Sequence, residues 1–247
     1  EMEKQVASKT TDLKRSNEDL LHFAHVVSHD LKEPVRKIQY FNSLLCGQPE
    51  VASSPKALKY AERIDHSAVR MHNIIDGILS YSTLDNSRQK MGKVNLNKIM
   101  ENIRTDLELI IEDKQALITI GDLPEIEGAS ILIHQLFYNL LQNSLKFSKA
   151  GERPKIDITA QHAQNEGCVM IKVTDNGIGI DRQYCEKIFS PFERLNSKSS
   201  YEGNGLGLSL CKKICNRHSG SIKADGELGK GTSFTVVLPL QQSAALI

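Results

Sequence analysis

His29 stands in the run Ser28-His29-Asp30-Leu31-Lys32-Glu33-Pro34. An imidazole changes charge near neutral pH, and its ring nitrogen can act as a nucleophile. Far downstream, Asn139, Asn143 and Lys146 are spaced four and three apart, which places them on one face of a helix. Asparagine carbonyls are hard oxygen ligands suited to Mg²⁺, and a lysine suits phosphate. Three glycine clusters follow: Asp175-Asn176-Gly177-Ile178-Gly179-Ile180, then Gly203-Asn204-Gly205-Leu206-Gly207-Leu208, then Gly229-Lys230-Gly231-Thr232. Glycine permits positive φ and close approach of backbone to a ligand, and the second cluster opens a predicted helix, Leu208 to His218, whose N-terminus favours phosphate. The chemistry these types suit is binding of a phosphorylated ligand with a divalent cation, set in one chain with a solvent-facing histidine.

Each signal alone has an ordinary reading. Asparagines four apart usually form a solvated helix face, and a single glycine cluster is usually a turn. The context of Gly203, Gly205 and Gly207, which follow a polar stretch rather than a buried strand, argues against a dinucleotide fold. His22, His25 and His29, at i, i+3 and i+7, could hold a metal, but no fourth ligand is evident.

The elements that must position these residues fall into two groups. A seven-residue spacing runs through Val6, Leu13, Leu20, Val27, Pro34 and Phe41, with Thr10, Asn17, Ala24, Leu31, Ile38 and Leu45 four residues after each, a coiled-coil seam. After a break over Gly47 to Pro55, a second stripe runs through Ala57, Ala61, Ile64, Ala68, Met71, Ile75 and Ile78. Two helices with narrow apolar stripes cannot enclose a core alone, so a second copy is expected to complete a dimeric four-helix bundle, the alternative being a hairpin packed on the downstream segment. His29, two positions beyond Val27, is predicted on the solvent side, and Pro34 should disturb the helix at a cost of about 3 kcal/mol.

A composition shift near Met91 to Lys93 divides the chain into a helical hairpin, 1–90, and a mixed segment, 91–247. In the latter a helix is predicted over Asn97 to Asp113, a strand over Leu117 to Ile120 and a helix over Ser130 to Ser148 capped by Ser130. Strands follow over Lys155 to Gln161, Cys168 to Thr174 and Ser233 to Leu238. This grouping suits an α+β two-layer sandwich. The polar stretch Asp181 to Asn204 reads as a lid, with Phe189 and Phe192 as anchors of its base.

The His29 run resembles the phosphoacceptor box of sensor histidine kinases, particularly the phytochrome-like branch with Glu33 before Pro34. Asn139, Asn143 and Lys146, then the Asp175 cluster, then Phe189-Ser190-Pro191-Phe192, then the Gly203 to Leu208 cluster, resemble in order the N, G1, F and G2 boxes of that family's ATP-binding domain. The resemblance extends from about His22 to Pro239. It implies a Bergerat-type ATP-binding sandwich and ATP-dependent phosphorylation of His29. It further implies transfer of the phosphoryl group to an aspartate on the receiver domain of a response regulator.

By the same resemblance, Asp175 binds the adenine amino group, Asn143 binds Mg²⁺, and Asn139 and Lys146 lie on the phosphate side. Gly177 and Gly179 shape the adenine pocket, and Gly203, Gly205, Leu206, Gly207 and Thr232 complete the nucleotide contacts. Arg194 could lend charge to the transferring phosphoryl group, and Asp30 can orient the His29 ring by accepting a hydrogen bond from one nitrogen. Two rivals remain. A gyrase-like ATPase would carry a water-activating glutamate where this chain has Asn139. A nucleotide-binding scaffold without transfer would draw on two departures from the family pattern, Ser144 for the usual alanine and Glu33 for a threonine or asparagine. The second departure implies weak dephosphorylation of the regulator.

The 31 basic residues nearly balance the 30 acidic ones, which argues against nucleic acid or an anionic membrane surface as partner. Five cysteines without a CxxC pair fit a reducing, cytoplasmic setting. No apolar run approaches the roughly 20 residues of a membrane span. The helical pattern is already under way at Glu1, so an upstream sensor segment is expected.

Overall fold

The computed structural model describes residues 27, 28, 30–84, 89–163, 167–195 and 205–242. His22, His25, His29 and Gly203 lie outside the described residues. The chain divides into two units, Glu1–Asn86 and Ser87–Ile247.

In the first unit, helix α1 covers 30–46 and continues through Pro34 without a break in the helical assignment. The expected loop contains a short helix, α2 (Pro49–Ala52). Helix α3 (Pro55–Thr83) starts where Ser54 accepts a hydrogen bond from the Ala57 N–H at 3.3 Å and Pro55 takes the first helical position. Inside the hairpin, Ser28, Val35 and Asn42 are buried at seven-residue spacing opposite buried Ala61, Ala68 and Ile75. The small alanines allow close helix approach, and Asn42 Nδ2 donates to the Ala61 carbonyl at 2.9 Å. Lys32 Nζ and Asp76 Oδ1, 2.5 Å apart, add an ion pair between α1 and α3.

The stripe predicted as the seam is not the one that closes the hairpin. Leu31, Ile38, Phe41 and Leu45 on α1, and Ile64 and Met71 on α3, are exposed in the single chain. The seam positions Val6 to Ala24 lie outside the described residues, while the predicted α3 stripe does supply the buried Ala61, Ala68 and Ile75.

The second unit pairs a helical layer with a mixed five-stranded sheet. Its elements are β1 (Gly92–Asn95), α4 (Leu96–Asp106), α5 (Glu108–Asp113), β2 (Leu117–Ile120), β3 (Glu125–Gly128) and α6 (Ser130–Lys146), followed by β4 (Lys155–His162), β5 (Cys168–Asp175), α7 (Gly207–Arg217), β6 (Ser221–Glu227) and β7 (Gly231–Pro239). The sheet order is β2-β4-β5-β7-β6, with β2 parallel to β4 and the other pairs antiparallel. Cross-strand partners Ile158 and Val173, Val173 and Phe234, and Ile171 and Val236 are buried on one face. That face lies under the apolar stripe of α6, which includes Leu136, Phe137, Leu140, Leu141 and Leu145.

Several expectations are corrected. The helix predicted over Asn97 to Asp113 is two helices, because Leu107 leaves helical geometry at φ −102° and ψ 7° while its side chain stays buried. Strands β1 and β3, not anticipated, pair through Val94 and Ile126 as a separate two-stranded sheet, and each carries a single large apolar side chain, unlike the apolar β2. Ser130 does not cap α6: the N-cap is Ala129, without a side-chain cap, and the Ala129 N–H donates to His218 Nε2. Within the expected lid, short 3₁₀ turns at Arg182–Tyr184 and Lys187–Phe189 bury Ile188 and Phe189. Phe192, expected as an anchor, is 57% exposed with φ +64°. No helix among the described residues is long and apolar enough to cross a membrane.

Candidate nucleotide-binding site

Inward and outward side chains alternate along β5, so Val169, Ile171 and Val173 point at the helical layer and Asp175, the next inward position, ends the strand there. A carboxylate thus occupies the place where the pattern would put an apolar side chain. Burial pushes its pKa above the ordinary carboxylate range, while hydrogen bonds from the Gly177 N–H, the Thr232 N–H and the Ser144 hydroxyl pull it back. Oδ1 accepts from Gly177 N at 2.9 Å and from Thr232 N at 3.1 Å. Oδ2 accepts from Ser144 Oγ at 3.1 Å.

The glycines around this carboxylate have no room for side chains. A Cβ on Gly177 would lie 2.5 Å from the Phe147 carbonyl oxygen, and one on Gly179, at φ +74°, 2.0 Å from that of Glu227. A Cβ on Gly231, at φ +107°, would lie 1.9 Å from the Asp175 carbonyl oxygen. The turn is pinned by Ile178 N donating to Phe147 O at 2.9 Å and Gly229 N donating to Ile178 O at 2.8 Å. Asn176 turns away, its amide joining Lys155 N and Arg153 O, so it is a strut between strands.

Asn139, Asn143 and Lys146 lie on one half-buried flank of α6, beside the buried stripe that carries Ser144. Asn139 Nδ2 is buried and reaches no oxygen or nitrogen acceptor among the described residues, its side chain lying against the Cys211 thiol. A Cβ built on Gly207 would come within 3.9 Å of the Asn139 side chain, so the start of α7 stands beside Asn139. Among the described residues no side chain caps that start. Lys146 Nζ lies 4.7 Å from the centre of the Phe147 ring. Leu206 is buried before α7, and Gly205, at φ +73°, accepts a hydrogen bond from Phe192 N at 3.0 Å.

The structure therefore gathers Asp175, Gly177, Gly179 and Thr232 around one carboxylate. Asn139 and Gly207 approach each other between α6 and α7. Arg194 is half-buried, and Asp30 is exposed on the hairpin unit. Two residues outside the predicted set, Ser144 and Gly231, touch Asp175 or its backbone. Gly231 stood in a glycine cluster already visible in the sequence, and Ser144 stood out as a departure from the family's usual alanine.

A glycine cradle around a carboxylate, with the start of α7 beside the Asn139 amide, fits a nucleotide with its phosphates toward Asn139. A Mg²⁺ ion fits the neutral oxygen donor set on α6. Among the described residues no group of three or more histidine, cysteine, aspartate or glutamate side chains is placed to hold a metal.

Comparison with known proteins bears on the family and the fold. Residues 19–87 match the model of the His Kinase A phospho-acceptor domain, and residues 128–242 that of the histidine kinase-, DNA gyrase B- and HSP90-like ATPases. The chain is 33% identical over 237 residues to phytochrome-like protein Cph1 of Synechocystis, covering 96% of this chain and 31% of that protein. It is 34% identical over 236 residues to cyanobacterial phytochrome A of Nostoc, covering 96% and 30%. It thus spans about a third of the length of these relatives. The catalytic domain of histidine kinase ThkA superposes at a TM-score of 0.53 with 28% identity, covering 62% of this chain and 97% of that one. Full-length ShkA superposes at 0.70 with 21% identity, covering 92% and 47%, a likeness of fold. With a phospho-acceptor segment followed by an ATPase segment of this kind, the chain belongs to the sensor histidine kinase family.

Proposed function

We propose that this chain binds ATP in the cradle around Asp175, transfers the γ-phosphoryl group to His29, and passes it on to an aspartate of a response regulator. The observation that carries the reading is Asp175 itself, a carboxylate held at the inward end of β5 by three donors and walled by glycines that admit no Cβ.

The adenine amino group donates to Asp175. Gly177 and Gly179 let the base lie against backbone. Asn139 Nδ2 and the N–H groups at the start of α7 donate to phosphate oxygens, with Gly203, Gly205, Leu206 and Gly207 forming the approach, and Lys146 adds positive charge. Asn143 would hold Mg²⁺, which would supply charge neutralisation at the phosphates. Arg194 adds charge near the γ-phosphate. Thr232 fixes Asp175 through its backbone N–H.

His29 attacks as neutral imidazole. Asp30 accepts a hydrogen bond from one ring nitrogen, so the other carries the lone pair that forms the N–P bond as the bond from the γ-phosphorus to the bridging oxygen breaks and ADP leaves. The exposed stripes on α1 and α3 pack against those of a second chain, giving a homodimer through the hairpin. The full protein joins this chain to an upstream sensor and works in the cytoplasm. Solved ThkA in complex with response regulator protein TrrA, at a TM-score of 0.63 and 24% identity, shares the fold across 94% of this chain.

The test is incubation of the chain and its His29→Ala variant with Mg²⁺ and ATP labelled at the γ-phosphate. Acid-labile, alkali-stable label on the parent alone is the expected result. Free phosphate released equally by both would replace this reading with hydrolysis, and nucleotide binding without label would replace it with a scaffold.

A further inference from the structure

Ser144 does something the nucleotide reading does not require of it. It belongs to the buried stripe of α6, 3% exposed, between Leu140, Leu141 and Leu145, where a hydroxyl costs free energy unless it is hydrogen-bonded. A serine inside a helix commonly donates to the carbonyl four residues back. Here its hydroxyl reaches across to the sheet and donates to Asp175 Oδ2 at 3.1 Å. The two backbone donors, Gly177 N and Thr232 N, both serve Oδ1. Ser144 is therefore the donor that fixes the second oxygen.

We propose that Ser144 is a positioning residue for base recognition: by occupying one acceptor site of Asp175 Oδ2, it directs the other at the 6-amino group of a bound purine. This rests on the adenine-nucleotide reading above. With both oxygens anchored, the carboxylate plane is set by three bonds from three elements, α6, the turn after β5, and β7. It cannot rotate to suit a base that presents a different edge. A base with hydrogen or a carbonyl at C6 offers no amino donor to the site left on Oδ2, and a carbonyl there would face the carboxylate acceptor to acceptor. Without the serine hydroxyl, Oδ2 has one bond fewer holding it, and the preference for a 6-amino base should weaken through orientation alone.

The experiment compares ADP with purine riboside 5′-diphosphate, which carries hydrogen at C6, by calorimetric titration of the full chain and of its Ser144→Ala, Ser144→Cys and Ser144→Thr variants in Mg²⁺. Hydrogen bonds to charged groups are strong enough that the Ser144→Ala change should weaken ADP binding about tenfold. Binding of the 6-hydrogen analogue should stay unchanged, so the ratio between the two nucleotides falls about tenfold. Ser144→Cys, close in volume but a weak donor, should follow alanine, and Ser144→Thr should keep the parent ratio. Equal weakening of both nucleotides by Ser144→Ala, or no change in either, overturns the proposal and leaves the adenine reading standing. A parent chain that binds both nucleotides equally well overturns the adenine reading itself, and this inference with it.

Discussion

His218 Nε2 accepts a hydrogen bond from the Ala129 backbone N–H at 3.0 Å, joining the end of α7 to the start of α6 across 89 residues of sequence. The opposite ring nitrogen, Nδ1, lies 2.8 Å from the Ile214 carbonyl oxygen. A carbonyl accepts only, so Nδ1 carries the proton and Nε2 is the bare acceptor. The ring is fully buried, and Gly128 beside it leaves the space it fills. His218 thus satisfies the N–H of the N-cap residue itself, a donor that no N-cap side chain could serve.

That tautomer fixes how stability should depend on pH. Burial, the largest influence, holds the His218 pKa below its ordinary 6.5, opposed by the bond to Ile214 and assisted by Arg217. The unfolded chain therefore takes up a proton on this residue at a higher pH than the folded chain does. Above about pH 6.5 both forms are neutral and the full stability is present. As pH falls through that value, the unfolded state is favoured, and the loss continues until the folded pKa is reached. Urea unfolding followed between pH 8 and pH 5 should show this decline. The variant His218→Gln, whose amide oxygen can accept from Ala129 without titrating, should flatten it.

The glycines around Asp175 should be intolerant in a position-specific way. Gly179→Ala and Gly231→Ala each set a Cβ about 2 Å from a backbone carbonyl oxygen and in a left-handed conformation. Backbone must move in both cases, which should cost more than about 3 kcal/mol and abolish nucleotide binding. Gly92→Ala meets nothing within 4 Å, and its unfolding free energy should stay within about 0.5 kcal/mol of the parent's. A thermal melt and an ADP titration on each variant check this contrast.

Much of this was legible in the sequence because glycines and a carboxylate in a fixed order leave few alternatives. Asp175, Gly177 and Gly179 follow a strand whose alternation is regular, and the helix with Asn139, Asn143 and Lys146 has an unambiguous period. What escaped were contacts between distant segments. Nothing in the local sequence says that Ser144 bonds Asp175, 31 residues on, or that His218 completes the start of α6. The break at Leu107 was hidden because its buried side chain keeps the apolar period of α4 and α5 while its backbone leaves the helix. Phe192 was misplaced for the opposite reason, since an aromatic in a polar stretch suggests an anchor but its φ of +64° turns it outward.

Asn139 should separate function from stability. Its Nδ2 is buried without an oxygen or nitrogen acceptor among the described residues, and the Cys211 thiol beside it is at best a weak acceptor. Replacement by leucine, similar in volume and without polar atoms, should leave the unfolding free energy unchanged or raise it by about 1 kcal/mol. Autophosphorylation should nevertheless fall at least about tenfold, because the donor to the phosphates is gone. Paired measurements of urea unfolding and of label incorporation decide this. A drop in stability matching the drop in activity would mean that the amide serves the fold.

The two stripes of the hairpin should respond to substitution differently. Phe41 is 63% exposed in the single chain, whereas Ile75 is 5% exposed against α1. Phe41→Asp places a charge on the outer stripe and removes nothing from the contact between α1 and α3. It should halve the mass measured by light scattering while the helical circular dichroism of the chain is largely kept at high protein concentration. Ile75→Ala removes buried methylenes from the inner contact and should cost about 2–4 kcal/mol. Its dimer should form through the same outer stripe once the chain is folded, so its mass at low temperature should remain that of the parent. If Ile75→Ala also dissociates the chain under conditions where its circular dichroism is native, the inner contact and the contact between copies are one cooperative unit. The outer stripe would then not be the whole of the dimer interface.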